Sequence, residues 1–176
     1  MMRGMRRVGP LIAIMTLGLL LAAPANAEQP ARPFKGYSSG YVTFVDNSTD
    51  PITLEACPYP VYATGTFGYA SGTASHLGRF DWANVHCAPV ADEAITGLLT
   101  LTAANGDELV LQYYGPTDAE LGANHFWGAY DFAVTGGDGR FENASGSGVM
   151  TVYTTFESFS DPVWPAEWWL EGSIDY

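Results

Sequence analysis

The sequence predicts an all-β domain of eight antiparallel strands, arranged as a sandwich or an up-and-down barrel. Three observations carry this. Apolar residues alternate with polar ones at period two, glycine-rich turns separate the runs, and no helix-period stretch follows residue 27.

The strands fall at 38–46, 61–70, 76–87, 94–104, 107–115, 125–135, 146–156 and 166–176. "DELVLQYYG" places Leu109, Leu111 and Tyr113 on one face and Glu108 and Gln112 on the other. "HFWGAYDFAV" does the same for Phe126, Tyr130, Phe132 and Val134, with Asp131 opposite. "EWWLEGSIDY" sets Trp168, Leu170, Ile174 and Tyr176 against Glu167, Glu171 and Asp175. Each pattern is that of a strand with one buried face. Asn105-Gly106 predicts a tight hairpin with a type I′ turn, which needs positive φ at both central residues. Two longer segments, 115–124 and 156–167, contain proline and acids and are expected to be exposed loops.

The chain opens with "MMRGMRR", the apolar run "LIAIMTLGLLL" and "ANA". Charged, apolar and small residues in that order predict a secretory signal peptide over 1–27, leaving a domain over 28–176. The apolar run is well short of the roughly 20 residues that span a bilayer. Removing Arg3, Arg6 and Arg7 leaves four of seven basic residues against nineteen acids, so the formal charge moves from −12 to −15. Such a surface repels phosphate backbones and anionic lipids, which excludes nucleic acid as a partner and, after cleavage, a membrane. The expected location is secreted or periplasmic.

An exported pair of cysteines predicts a Cys57–Cys87 disulfide. The turn "SGTAS" (Ser71–Ser75) centres on Gly72, which lies fifteen residues from each cysteine. On that register the two meet across one hairpin.

The glycine-rich stretch "VTGGDGRFENASGSG" (Val134–Gly148) resembles a phosphate loop in composition only. A phosphate loop needs a helix after it, and "GVMTVYTTF" reads as strand. The stretch is therefore a corner between two strands. "GYSSG" (Gly36–Gly40) matches a nucleophile elbow but lacks the flanking strand and helix. "DNSTDPITLEAC" carries Pro51 and Cys57 where a calcium loop needs glycine and glutamate. The adjacent acids Asp92-Glu93 and Asp107-Glu108 point to opposite faces or sit in turns, and are poor acid–base partners. His76 and His86 would lie about 33 Å apart on an extended strand. No catalytic residue, metal site or cofactor is assigned.

The strongest ligand candidates are His76 and Arg79 in "SHLGRFDW", with Trp82 on the same run and Trp169 on the last strand. On one reading His76 and Arg79 hold a polar group of a ligand at a barrel mouth. On the other, the histidine closes a turn and the arginines pair with acids. Trp168 is expected in the core and Trp169 on the outside, where it is available to a sugar or other ring.

Four segments, "GTASHLGRF", "LTAANGDEL", "VTGGDGRFENASGSG" and "EGSIDY", resemble a family of exported bacterial proteins of unknown function. The pattern TGG-x-G-[RK]-F-x-x-A-x-G, at Thr135–Gly146, is similar to one in plant dirigent proteins and allene oxide cyclases. That resemblance implies a single eight-stranded antiparallel up-and-down β-barrel, calycin-like, with an apolar interior. It transfers no catalytic residue, because fold does not fix function. Three functions follow as expectations. The first is non-catalytic binding of a small apolar or amphipathic molecule; the second is a cofactor-free cyclase or isomerase; the third is a surface protein that self-associates.

Overall fold

A computed structural model describes residues 30–46, 57, 62–89, 94–116, 119–122, 124–158 and 161–176. The segment 1–27 expected to be a signal peptide, the calcium-like stretch between Asp46 and Cys57, and Asp92-Glu93 lie outside them. The strands are β1 (Arg32–Asp46), β2 (Tyr62–Ala74), β3 (Gly78–Pro89), β4 (Ile95–Ala103), β5 (Glu108–Gly115), β6 (Ala119–Gly122), β7 (His125–Asp138), β8 (Ser145–Thr155) and β9 (Val163–Asp175). Neighbours run antiparallel in the order β5-β4-β3-β2-β1-β9-β8-β7. β5 also pairs with β7, which closes the ring into an eight-stranded barrel. Closure removes the exposed edges that an open sheet would present.

The alternation read from sequence sorts inside from outside. Leu109, Leu111 and Tyr113 are fully buried, as are Tyr130, Phe132, Trp168, Leu170 and Ile174 to within 3%. Asp131, Gln112 and Glu171 face solvent. Phe126, on the same face of β7 as Tyr130, is half-buried and stacks on Phe156 and Trp164.

Five expectations need correction. β1 begins at Arg32, six residues early, so "GYSSG" lies within a strand with Ser38 buried. β9 begins at Val163, and β6 forms within the expected loop at 115–124, pairing with the start of β7. The Asn105-Gly106 hairpin is not a two-residue type I′ turn. Gly106 N donates to Ala103 O and Ala103 N to Asp107 O, with positive φ at Gly106 and not at Asn105. This is the three-residue loop in which a type I turn ends on a left-handed glycine. Finally, the β2–β3 turn is Ser75–Leu77, not Ser71–Ser75; β2 runs on to Ala74, opposite Gly78.

The two ends of the barrel differ. The short turns β2–β3, β4–β5 and β7–β8 gather at one end, with the start of β1 and the end of β9. Here the glycine-rich corner makes a single 3₁₀ turn, Gly139–Phe141, and drives Phe141 to zero exposure against Tyr176. Arg140 ties that turn to the β4–β5 turn through Asp107, Nε to Oδ2 at 3.0 Å. Gly139 has φ of 63°, a conformation costly for any residue with a Cβ. The other end carries the longer connections β1–β2, β3–β4, β5–β7 and β8–β9.

Candidate functional site

Near the long-connection end the interior turns from apolar to polar. Alternation along β3 sends Trp82, Asn84 and His86 inward. His86 stands opposite Gly97 on β4, and Gly97 opposite Tyr113 on β5. The glycine matters because a Cβ there would run into the Tyr113 ring. With nothing in the way, Tyr113 lies across β4 and reaches two strands over. Its hydroxyl accepts a hydrogen bond from Asn84 Nδ2 at 2.9 Å and sits 3.0 Å from His86 Nδ1. Tyr130 on β7 completes the cluster. Its ring is edge-on to His86 at 5.8 Å and 5.5 Å from Tyr113.

Among the described residues three buried side-chain atoms have no hydrogen-bond partner: Trp82 Nε1, Asn84 Oδ1 and the Tyr130 hydroxyl. Leaving such a group unsatisfied costs about 1–3 kcal/mol. Together they offer two N–H or O–H donors and one carbonyl acceptor. The only buried polar or charged residues among those described are Ser38 and Asn84, so no ionic group is buried in the wall.

Burial pushes His86 down from the ordinary 6.5 to about 4. At neutral pH its imidazole is uncharged and adds hydrogen-bonding capacity without charge. The unfolded chain takes up this proton near 6.5 and the folded chain only near 4. Between these values the unfolded state holds more protons, so this contribution to stability is complete above 6.5 and lost as pH falls toward 4. Linkage limits it to roughly 3 kcal/mol, less where solvent reaches the ring. His86→Gln should flatten the fall in melting temperature across that window relative to the parent; an identical profile would mean that the ring titrates normally.

A second, shallower feature lies at the same end. A cleft of about 490 Å³ opens among Asn124, His125, Phe156, Asp161, Val163 and Pro165. Two of its polar side chains, His125 and Asp161, are already engaged. Tyr153 hydroxyl bonds His125 Nδ1, and Asp161 Oδ2 accepts from the backbone of Glu157 and Ser158. The cleft is a product of how the β8–β9 loop is held.

The four residues singled out from sequence do not share one site. His76 sits in the β2–β3 turn at φ 72°, its Nε2 3.0 Å from Pro33 O and its Nδ1 3.3 Å from the Tyr176 hydroxyl. It clips the turn to β1 and to Tyr176, just past β9, at the short-turn end. Arg79 is exposed on the outer face of β3, opposite Thr73 on β2. Trp82 is in the core, edge-on to Trp168 at 4.5 Å, on the inward face of β3 that also carries Asn84. Trp169 is outside, 39% exposed, against Tyr37. Asn84, Tyr113 and Tyr130 were not singled out as site residues, nor was His86. A signal for His86 existed, since it shares the parity of Trp82; its partners depend on register across β4.

Among the described residues no group of histidine, cysteine or acid side chains is placed to hold a metal ion. No family model matches the chain, and neither the curated proteins nor the solved structures give a match.

Proposed function

We propose that this chain is an exported β-barrel that binds one small, neutral, amphipathic molecule inside its long-connection end and releases it unchanged. The observation that carries this reading is three orphaned buried atoms: Asn84 Oδ1 and Tyr130 OH, on residues that contact the Tyr113–His86 pair, and Trp82 Nε1, one inward position along β3 from Asn84. A barrel of eight strands either fills its interior or holds one small ligand. This one is filled with apolar side chains toward the plugged end and leaves polar atoms unspent toward the other. A ligand with one carbonyl or hydroxyl beside a planar apolar body satisfies them. The Cys57–Cys87 bond and the charged, apolar, small order of the leader support export.

Native mass spectrometry of protein taken from its own host should show a mass increment that dissociates as an intact small molecule. Tyr130→Phe separates binding from structure. Removing an orphaned hydroxyl leaves the melting temperature equal or higher, whereas affinity for that molecule falls about tenfold. No increment, together with unchanged behaviour in Tyr130→Phe, would overturn the reading. A molecule recovered in altered form would replace binding with catalysis.

A further inference from the structure

The outer wall of the barrel is divided unevenly. On β7, β8, β9, β1 and β2, consecutive neighbours in the sheet, the outward positions carry Trp127, Tyr153, Trp169, Tyr37, Tyr41 and Tyr69. Five of these are exposed by 39–48%. Across β3, β4 and β5 the described outward positions hold one exposed aromatic, Tyr114. Six aromatics on one side of a small acidic domain are more than scattered surface residues account for.

Register arranges the rings in pairs. Tyr37 lies opposite Trp169, with centroids 5.6 Å apart, and Tyr41 lies opposite Tyr69 at 5.8 Å. Between the pairs runs a polar row in which Ser39 is flanked by Ser71 and Glu167. Tyr37 hydroxyl donates to Glu167 Oε1 at 2.5 Å, which fixes that ring. The one cation on these strands' described outer face, Lys35, is paired with Glu171 at the margin.

We propose that this face binds a neutral polysaccharide, with sugar rings stacked on the Tyr37–Trp169 and Tyr41–Tyr69 pairs and their hydroxyls bonded to Ser39, Ser71 and Glu167. The C–H face of a pyranose is apolar and fits an aromatic ring, while its rim of hydroxyls needs acceptors beside that ring. Alternating aromatic and polar rows supply both. Charge selects against the other occupants. A chain at −12 with Glu167 and Glu171 on the face repels anionic polymers. A second copy docked face to face would bring those carboxylates together. A lipid surface wants a contiguous apolar patch, and the serine–glutamate row interrupts this one. Tyr37 and Tyr41 are four residues apart, about 13 Å along the strand, so one sugar reaches one pair and a polymer reaches both.

The test is retention of the whole exported protein on insoluble cellulose, chitin and mixed-linkage β-glucan, with Trp169→Ala, Tyr41→Ala and the double variant. Retention on at least one polymer is expected, insensitive to high salt. Each single variant should weaken it about tenfold and the double variant should abolish it. These side chains are exposed, so melting temperature should hold. If Trp169→Ala fails to fold, Tyr41→Ala carries the test alone. No retention on all three polymers, or equal retention by the double variant, overturns the proposal. So does a dimer, or binding to phosphatidylcholine vesicles, that Trp169→Ala abolishes. The outer face is separate from the interior cluster, and Tyr130→Phe should leave retention unchanged, so the two readings fail independently.

Discussion

Phe132→Asp is expected to leave no cooperatively folded protein. Phe132 projects from β7 into the barrel at 3% exposure, edge-on to Phe34 with centroids 6.3 Å apart. Its ring lies over Gly148 on β8, where even a Cβ would collide with it. Truncating a buried aromatic costs about 3–5 kcal/mol before any charge is considered. A carboxylate at this point adds several kcal/mol, because the buried residues described include no cation to pair with it. The total is comparable with the whole stability of a domain, about 5–15 kcal/mol. Asp131→Asn, one residue away and facing solvent, should stay within about 0.5 kcal/mol of the parent. Near-ultraviolet circular dichroism through a thermal scan separates the outcomes. A full transition in Phe132→Asp would mean that β7 is turned the other way.

The contrast between those neighbours shows why so much of the fold was legible. A side-chain period of two fixes which face is buried, and the long runs on β5, β7 and β9 make the inner face unambiguous. Closure was harder to read. β1 begins at Arg32, yet Pro33, Lys35 and Gly36 look locally like a leader. What makes them strand is pairing with β9, Gly36 opposite Leu170 and Phe34 opposite Gly172, at the seam that joins the two ends of the chain. Such contacts have no local signature. β6 is four residues long and escapes any periodicity test.

The candidate site was less legible, because it depends on register and not on residue type. His86, Gly97 and Tyr113 form one row across three strands only when two hairpins are aligned to the residue. Moving the β2–β3 turn from Gly72 to His76 slides β2 along β3 and changes the cross-strand partners of β3 on that side, while the ends keep their places. His76 and Arg79 lie at the short-turn end and His86 toward the end with long connections. Parity needs no register, and along β9 it puts Trp168 in the core and Trp169 on the surface.

Replacing both Cys57 and Cys87 by serine should destabilise the domain by roughly 3–4 kcal/mol, the loop-entropy term for a closed loop of this size. For a domain of this length that lowers the melting temperature by roughly 8–15 °C. The pair is bonded, with Cα atoms 5.3 Å apart and a sequence separation of 30, and both residues are buried. The bond does not arise as the symmetric hairpin staple expected from Gly72. With the turn at Ser75–Leu77, Cys87 stands opposite Gly65, and Cys57 comes from the chain ahead of β2. The link therefore ties the segment preceding β2 onto the outer side of β3, directly behind inward-facing His86. Its loss removes a covalent tie at the end of the barrel that carries His86 and Tyr113. Thiol titration of the unreduced, denatured parent should find no reactive thiol. Urea titrations of parent and double variant should then show a lower midpoint at an equal or steeper slope, since an unlinked chain exposes at least as much surface on unfolding. An unchanged midpoint would mean that the tether holds nothing the β2–β3 ladder does not already hold.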